Sequence, residues 1–517
     1  MLNLPENFAI IAISAIALFI IIWGYNRGKK FGEIGILAWL QSLSLMTPWL
    51  IFFVCLALGI YINFIGIIIL LLLSTSIYIY LGRSIRKKVQ QQNLPSFDKT
   101  QINLQDLVLK TEKENQENNI NSANSDQSKS SSFRNQPPEP NFTPINEEDL
   151  GIIKSIFGID TFFSTETIPY QEGAIFKGNL RSEPEFAHQQ LSKKLHDKLG
   201  EKYRLFLVET PEGKPVVIVL PSSNDPQPMS LVQKNLALVL FVATAFTTIE
   251  GISVLLGFDL IGNWNRYPES LPLTLGLWLI LFAHEMGHRI MGDKYGIKIS
   301  LPFFLPNIQI GSFGAITRFE SLIPNRSVLF DIAFAGPAVG GLLSLGMLCL
   351  GLVMSNGVSA FEIPTVFFQG SILVGGIAKI ILGSALNAQT VTVHPLTILG
   401  WLGLVITALN CLPAGQLDGG RITQAVYGRK IARRATIITL IVLGVVSLFN
   451  SVNSLPFYWA ILILFLQRDL ERPSLNELTE PNDTRAFWGL LLIFLSLATL
   501  IPITPSLATG LGIGLSL

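Results

Sequence analysis

The sequence predicts an all-α polytopic membrane protein with one small α+β domain inserted before its transmembrane core. Of the 517 residues, 49% are hydrophobic and 14% are charged, whereas a soluble domain carries about 25% charged residues. Long apolar segments recur along the chain and are interrupted by one large polar region at 84–230. Because apolar stretches of about 20 residues match the thickness of a bilayer, these features indicate a chain that crosses a membrane several times.

The apolar segments predict a series of membrane spans and an orientation. The spans lie at 8–24, 46–62, 64–82, 235–257, 271–291, 328–354, 396–413, 434–449, 455–467 and 487–504. The first lacks preceding basic residues and a small-residue cleavage site, so it is predicted to be a retained membrane helix. An alternating path through the spans places every cluster of Lys and Arg on the cytoplasmic side. On that path we expect the stretch 367–386 to lie on or dip into the outer face, or to cross twice, rather than to cross once.

The polar region divides into two parts of different composition. Residues 84–146 are rich in Asn, Gln, Ser, Lys and Pro, so they are predicted to form a flexible cytoplasmic linker that buries too little apolar surface to fold. Residues 147–230 show helical and strand periodicities, which predict a small cytoplasmic α+β domain. Its predicted elements are a helix at 150–157, a strand at 174–180, a helix at 185–199 and hairpin strands at 203–208 and 215–220. The predicted domain boundaries are therefore N-terminal transmembrane helices at 1–83, the linker at 84–146, the α+β domain at 147–230, the transmembrane core at 231–480 and a C-terminal transmembrane helix at 481–517.

The net charge and the cysteines give no support for nucleic acid binding, a disulfide framework or a cysteine-based metal site. The formal net charge of +1 gives no reason to expect a nucleic acid partner. The three cysteines, Cys55, Cys349 and Cys411, are far apart and lie in or beside apolar runs. They therefore predict neither a disulfide framework nor a cysteine-based metal site.

Ionisable side chains interrupt the predicted span at 271–291, where their cost in lipid indicates a function. His284, Glu285 and His288 form the pattern His-Glu-x-x-His. On a helix, the two histidines lie four residues apart on one face, where their imidazole nitrogens can bind one metal ion. Glu285 then lies close enough to act on a metal-bound water. The alternative is a pair of structural histidines, with Glu285 paired to a nearby cation such as Arg289.

A catalytic zinc site usually has three protein ligands and one open position, so the chain must supply a third ligand. The best candidate is Asp418, in the segment Asn-Cys-Leu-Pro-Ala-Gly-Gln-Leu-Asp-Gly-Gly that begins at Asn410. Pro413 and the glycines permit a broken helix there, which is tolerated where it lines a cavity. Taken alone, Asp418 is better explained as the Asp of a turn just outside the bilayer. Because both motifs are expected at similar depth on the same side, a shared metal site is favoured.

The two motifs resemble those of site-2 proteases, which are intramembrane zinc metalloproteases. The family combines a His-Glu-x-x-His helix with a later Asn-x-x-Pro-x-x-x-x-Asp-Gly segment, and this sequence matches both at 284–288 and 410–419. Gly-Asn-Leu-Arg at 178–181 resembles a motif of the plastid and cyanobacterial branch. The resemblance covers about 147–480 and implies a site-2 protease-like transmembrane core, one zinc ion per chain and a transmembrane protein substrate. It also implies a bacterial inner, thylakoid or plastid membrane. The orientation predicted from the basic clusters places the active site near the cytoplasmic or stromal face.

The resemblance also suggests a role for the loop at 296–326 that follows the histidine motif. There Gly311, Ser312, Phe313 and Gly314 alternate small and large residues, which predicts a short extended or hairpin element that dips toward the active site. An exposed strand edge can pair with an unwound substrate segment by strand addition, so these residues are candidates for substrate positioning. The alternative is a hairpin that only shields the cavity.

The predicted activity is hydrolysis of peptide bonds within or beside transmembrane segments, that is, regulated intramembrane proteolysis. Zinc held by His284, His288 and Asp418 would polarise the scissile carbonyl and lower the pKa of its bound water toward about 7. Glu285 would serve as the general base. Asn410 would donate a hydrogen bond to the substrate or to the oxyanion.

Two other functions use the same residues. A metal-ion transporter would need further ionisable residues along a path through the bilayer. Glu250 and Asp331 are the near candidates, and no stepwise path to the outer face follows from them. A catalytically inactive scaffold is the second alternative, and it is disfavoured because the sequence retains every expected ligand and the base.

Overall fold

The structure is a computed structural model. It describes isolated helical positions between 25 and 84 and then residues 145–514, except 171, 211, 356–360, 450–454 and 468. The predicted spans at 8–24, 46–62 and 64–82 and the predicted linker at 84–146 lie wholly or largely outside the described residues. All contacts discussed below lie within 145–446 and 455–514.

A four-stranded antiparallel sheet and two helices lie between 147 and 221, where α+β structure is predicted. The elements are α1 (Glu147–Lys154), β1 (Phe162–Tyr170), β2 (Gly173–Leu180), α2 (Pro184–Leu199), β3 (Tyr203–Glu209) and β4 (Pro215–Pro221). The strands are arranged in the order β1-β2-β4-β3. In the β3–β4 hairpin Phe206 lies opposite Ile218. The predicted helices, hairpin and strand β2 are thus observed within a few residues of their expected bounds.

Helix α2 packs on this sheet through one apolar stripe. Ala187, Leu191 and Leu195 recur every four residues and are all buried, as expected of an amphipathic helix that covers a core. Helix α1 is joined to the sheet by a buried hydrogen bond of 2.9 Å from the Tyr203 hydroxyl to Asp149 Oδ2. The two helices and the sheet therefore share one small core.

Strand β1 was not predicted from the sequence. It lies at an edge of the sheet and pairs with β2 through a register shift between Ser164 and Glu166. Such a bulge interrupts the alternation of side chains between the two faces, so no clean strand period appears in the segment. Pro169 further weakens the signal, although an edge strand tolerates a proline because one of its sides is unpaired.

The rest of the described chain is mostly helical. In chain order its elements are α3 (Leu231–Leu255), α4 (Tyr267–Lys294), β5 (Phe303–Asn307), β6 (Gly311–Ile316), α5 (Arg326–Met354), β7 (Phe361–Pro364), α6 (Ile372–Leu382), β8 (Thr390–Val393), α7 (Pro395–Asn410), α8 (Asp418–Phe449), α9 (Leu455–Leu462), α10 (Asp483–Leu500) and α11 (Pro505–Leu511). Among these, α3, α4, α5, α8 and α10 are long and apolar enough to cross a membrane. Large apolar side chains such as Leu238, Leu342 and Ile438 remain exposed on them, as on helices that contact lipid.

Helix α8 differs from the expected span at 434–449, because it begins already at Asp418. Gly428 has non-helical angles of φ 78° and ψ 170° and divides α8 into a half that carries Asp418 and an apolar half. The first half was not predicted, since its glycines and polar residues obscure the helical period. The predicted span at 396–413 corresponds to α7, which has 16 residues. The predicted span at 455–467 corresponds to α9 and the π-helical turn Ile463–Gln467 that continues it. Both helices are shorter than the roughly 20 residues of a full span.

The stretch at 367–386 does not contain a membrane-spanning helix. Its helix α6 has 11 residues and rises about 16 Å, which is less than the hydrocarbon thickness of about 30 Å. A 3-10 turn flanks α6 on each side, and the antiparallel β7–β8 pair lies next to these turns in the chain. This architecture agrees with the expectation that the stretch does not cross once.

Strands β5 and β6 form the expected hairpin after the histidine helix. Phe303 lies opposite Ile316 and Asn307 opposite Gly311. Gly311 and Gly314 have φ angles of 83° and 92°, which residues with a side chain rarely adopt. The hairpin packs against α3, and its strand β6 also contacts α4, the helix that carries the two histidines.

Removing the side chain of Leu191 is expected to destabilise the packing of α2 on the sheet. Leu191→Ala leaves a cavity at a fully buried position, which costs about 2–5 kcal/mol. Limited proteolysis of the full chain should therefore cut between 147 and 221 faster in this variant. Gln189→Ala, at an exposed position of the same helix, is the control and should be cut at the wild-type rate. Equal rates for the two variants would contradict the packing.

Candidate metal centre

Helix α4 presents His284 and His288 to the same buried space. The two residues lie one turn apart, are 8% and 3% exposed and bring their Nε2 atoms to 3.2 Å. In a pair of neutral imidazoles at most one nitrogen of each ring donates, so this contact leaves at least one lone pair directed into the space. The pair is therefore arranged to share a cation.

Asp418, the first residue of α8, completes the group. Its Oδ2 atom lies 3.1 Å from His284 Nε2 and 3.3 Å from His288 Nε2. Ligand atoms bound at about 2.0–2.1 Å to one tetrahedral metal ion lie about 3.3–3.4 Å apart. The structure thus brings the three predicted ligands together at the spacing that a shared ion requires, although two of them lie on α4 and the third on α8.

A backbone carbonyl fixes the orientation of His288. Its Nδ1 atom lies 2.7 Å from the carbonyl oxygen of Ile332 in α5 and donates a hydrogen bond to it. This bond leaves the lone pair of the ring on Nε2, which faces His284 and Asp418. Metal-binding histidines commonly have such a partner on the second nitrogen. Ile332 was not predicted as part of the site, since a carbonyl contribution has no signature in the side-chain sequence.

Two glycines of α5 allow this helix to approach α4 at the level of the histidines. A Cβ atom on Gly336 would collide with the His288 ring, and one on Gly340 would lie 3.0 Å from His284 Cβ. On α4, a Cβ on Gly287 would lie 2.6 Å from the carbonyl oxygen of Ala335. These glycines were also not predicted as site residues. Their signal in the sequence is the spacing of small residues at i and i+4, which is typical of closely packed membrane helices.

Glu285 lies beside the three converging side chains and is half-buried. Its Oε2 atom is buried and has no hydrogen-bond partner among the residues that the structure describes. A buried polar atom without a partner costs about 1–3 kcal/mol, so such an atom in a native fold needs an explanation. A water molecule or a proton that takes part in a reaction supplies one.

Asn410, at the end of α7, contacts the hairpin. Its Nδ2 atom donates to the carbonyl oxygens of Phe313 at 3.0 Å and Ile406 at 2.9 Å, so both amide hydrogens have acceptors. A Cβ atom on Gly314 would lie 2.6 Å from the same nitrogen. The structure thus places Asn410 between α7 and β6. Its hydrogen bond to a substrate stays a prediction.

The remaining predicted hairpin residues are held by protein contacts. The Ser312 hydroxyl is buried, donates to Leu305 O at 3.2 Å and accepts from Gly314 N at 3.0 Å. The Phe313 ring packs on Trp459, with 4.9 Å between the ring centroids. Gly311 O accepts a hydrogen bond of 2.7 Å from Thr247 in α3. These contacts hold the hairpin in place, and its role in positioning a substrate stays a prediction.

The residues at the site fit a catalytic metal ion. Two imidazoles and one carboxylate are a common donor set for zinc and other first-row divalent ions, and three protein ligands leave a position for water or substrate. All three are buried, and Glu285, the neighbour of His284 on α4, has a buried Oε2 atom without a partner. Within residues 145–514, apart from the stated gaps, there is no second group of three such side chains close enough to hold one ion.

The other three histidines lie outside this group. His188 is half-buried, with its Nε2 atom 3.3 Å from Leu205 O, and burial lowers its pKa. His196 is exposed and lies 3.3 Å from a carboxylate oxygen of Glu201. His394 accepts a hydrogen bond from Leu396 N and caps α7. The metal group therefore contains only the two histidines of the α4 motif.

Comparisons with known proteins agree with these motifs. A sequence profile described as Peptidase family M50 matches residues 272–450, which include all three converging side chains. A second profile, described as EGY3 middle domain, matches residues 151–228, where the four-stranded sheet lies. No solved structure matches significantly.

Curated relatives align along more than two thirds of this chain. Probable zinc metalloprotease EGY2, chloroplastic, from Arabidopsis thaliana is 39% identical over 69% of this chain and 65% of its own length. Probable zinc metalloprotease EGY1, chloroplastic, from the same plant is 36% identical over 72% of this chain and 74% of its own length. The chain thus spans about two thirds to three quarters of these relatives. By motif, profile and relatives, the chain belongs to peptidase family M50, the site-2 protease family.

Proposed function

We propose that this chain is a zinc-dependent endopeptidase that hydrolyses peptide bonds within or next to transmembrane segments of membrane proteins. The observation that carries the proposal is the convergence of His284, His288 and Asp418 within 3.1–3.3 Å of one another in a bundle of apolar helices. The names of the relatives, probable zinc metalloproteases, support zinc as the metal. The match to a peptidase family supports hydrolysis of peptide bonds as the reaction.

His284, His288 and Asp418 would hold the metal, and zinc bound there would polarise a scissile carbonyl and make a water molecule more acidic. The protein's own part is to hold the three donor atoms in place. The Ile332 carbonyl fixes the His288 ring through Nδ1. Close contact between α5 and α4 at Gly336 keeps bulk water from this side of the site.

We assign to Glu285 the transfer of a proton. Its buried Oε2 atom lacks a partner, so it can accept a proton from an attacking water and pass it to the leaving amine. The residue directly follows His284 on α4, which keeps this oxygen next to the metal ligands. A positioned base of this kind contributes about 10²- to 10⁴-fold to the rate.

We assign to the β5–β6 hairpin the binding of an extended substrate segment. A transmembrane helix uses its carbonyl groups in internal hydrogen bonds, so a substrate has to unwind before hydrolysis. The two-stranded sheet pairs β6 only with β5 among the described strands, which supports strand addition along its other side. Asn410 contributes by keeping Phe313 of β6 next to the end of α7.

We also propose in which membrane the protein lies, on which side its active site opens and how its domains are arranged. The apolar helices and the word chloroplastic in the names of the relatives support a plastid membrane or its cyanobacterial counterpart. The basic clusters support a site near the cytoplasmic or stromal face. A small domain at 147–230 on that face, a core at 231–480 and a last membrane helix within 481–517 complete the arrangement.

A metal-ion transporter is less well supported by the same structure. Glu250 Oε2 accepts a hydrogen bond of 3.1 Å from Leu260 N, and Asp331 is held by two contacts of 2.7 and 2.9 Å from Arg485. Neither carboxylate is therefore free to pass an ion onward. An inactive scaffold has no need of a buried, unpartnered Glu285 oxygen, whose cost a neutral side chain would avoid.

Metal content tests the three-ligand site. Elemental analysis of detergent-purified wild type is expected to give about one zinc per chain. His288→Ala and Asp418→Ala are expected to lose it, because two remaining ligands bind much more weakly. His196→Ala, outside the metal group, should keep the wild-type content. Full retention in Asp418→Ala would show that the third ligand lies elsewhere.

Replacing Glu285 separates metal binding from catalysis. Glu285→Gln is expected to keep its zinc and to cleave a tagged single-span membrane protein at least about 100-fold more slowly than wild type, since the base is lost. Gel assays of cleavage and elemental analysis measure the two properties. Glu269→Gln, at an exposed position of α4, should retain both. Wild-type cleavage by Glu285→Gln would rule out this base.

The packing of α5 on the histidines is tested by adding one methyl group. Gly336→Ala is expected to lose zinc, because the new Cβ would collide with the His288 ring. Gly346→Ala is the matched control on the same helix, since nothing lies within 4 Å of a Cβ at that position, and it should bind zinc as wild type does. The measurement is the zinc content of the two purified variants. Equal zinc content would mean that the packing of α5 on His288 is not needed for metal binding.

A further inference from the structure

A buried ion pair outside the metal group joins the helix of Asp418 to two other parts of the fold. Arg421 lies one turn after Asp418 and is 3% exposed, and Glu471 is 5% exposed. The Nε and Nη2 atoms of Arg421 lie 3.0 and 2.9 Å from Glu471 Oε2. Nη2 also donates to Thr317 O at 2.7 Å, and the guanidinium lies 4.6 Å from the centroid of the Phe319 ring. Arg421 thus contacts Thr317 just after β6 and Phe319 in the loop beyond it. It also contacts Glu471, the first residue of the segment 471–477, which we call the Glu471 segment.

This pair is better explained by positioning than by stability. A buried ion pair adds little to stability compared with well-packed apolar residues, because both charges lose their hydration. A guanidinium, however, is planar and donates in fixed directions. Arg421 uses these directions to hold Glu471 and the end of β6 at the same time. Its geometry therefore fixes the distance between the hairpin and the helix of Asp418.

Glu471 also holds α8 through its main chain. Its carbonyl oxygen accepts hydrogen bonds from Gln424, which precedes Gly428, and from Arg429, which follows it. Arg326 of α5 donates to the carbonyl of Ala425 at 2.7 Å, near the end of the first half of α8. The half-helix that begins with Asp418 is therefore held from both the Glu471 segment and α5.

The Glu471 segment continues directly to the small sheet. Leu207 N in the edge strand β3 donates to Leu475 O at 2.8 Å, and Glu477 N donates to Leu207 O at 2.9 Å. On the opposite side, Leu475 N donates to Ile323 O at 2.8 Å. Residues 475–477 thus lie like a short extra strand between β3 and the residues before α5. A movement of the small sheet would therefore displace residues 475–477 and, through them, Glu471.

We propose that Arg421 and Glu471 are a positioning pair that holds Asp418 and the β5–β6 hairpin in one arrangement, and that residues 471–477 make this arrangement depend on the docking of the small sheet. This inference rests on the proposed function, because it concerns the same metal and the same substrate hairpin. It assigns the sheet a regulatory role, since a partner that binds the sheet would alter the metal site through this segment.

The experiment compares Glu471→Gln with Asp331→Asn in the full chain, purified in detergent. Asp331 forms a similar ion pair with Arg485, at 2.7 and 2.9 Å, and takes part in none of the contacts above, so it controls for the loss of an ion pair as such. Zinc release into excess EDTA is followed with a colorimetric zinc indicator. Hydrogen exchange at 474–477 and in β3 is measured by mass spectrometry on zinc-loaded and on EDTA-stripped protein.

Glu471→Gln is expected to release zinc at least about tenfold faster than wild type, as for the loss of a group that orients a metal ligand. Exchange at 474–477 should also increase in both the loaded and the stripped protein. Asp331→Asn should match wild type in both measurements. Equal zinc release and equal exchange in the two variants would overturn the proposal.

Arg421→Lys provides a second variant if Glu471→Gln does not fold. Lysine keeps the charge but cannot hold Glu471 and Thr317 O with separate, fixed donors, so zinc release should again be faster. Wild-type release in this variant would overturn the positioning role. Absence of zinc or cleavage in wild type would count against the proposed function instead, and exchange in the stripped protein would still decide whether Glu471 couples the sheet to α8.

Discussion

The cost of burying ionisable groups among apolar helices governs the arrangement of the metal centre. A polar atom without a partner in such surroundings costs several kcal/mol. Nearly every such atom at the site therefore has a partner: His288 Nδ1 has the Ile332 carbonyl, and the two Nε2 atoms face each other and Asp418. Among the described side chains of the metal centre, Glu285 has the exception, its Oε2 atom. This unpartnered atom of Glu285 is the one that the proposed reaction protonates.

The need to give each buried polar atom a partner also requires the helices to pack closely. A carbonyl on α5 can reach His288 only if the backbones of α4 and α5 come unusually near, which explains the absence of side chains at Gly336 and Gly287. The same contact removes space for water beside the ligands. In this bundle the orientation of the ligands and the exclusion of solvent thus result from the same small residues.

The sequence predicted those parts of the fold that depend on local pattern. The spacing of His284 and His288 fixes their common face, and the depth of the predicted spans was enough to connect them with Asp418. The contributions of Ile332 and Gly336 were not predictable in this way, because they depend on how α5 packs. The contact of Arg421 with Glu471, 50 residues apart in sequence, likewise has no local period. Strand β1 was missed for a different reason, since its bulge hides the alternation on which strand prediction depends.

Unpaired polar groups would also be costly in the backbone of the β5–β6 hairpin. The carbonyl oxygens of Gly311, Phe313 and Thr317 accept hydrogen bonds from Thr247, Asn410 and Arg421, which lie on three different helices. A strand edge with unpaired backbone groups would be costly at membrane depth. These side chains supply hydrogen-bond donors to some of the backbone carbonyls without a further strand. The position of the hairpin thus depends on three helices, one of which begins with Asp418.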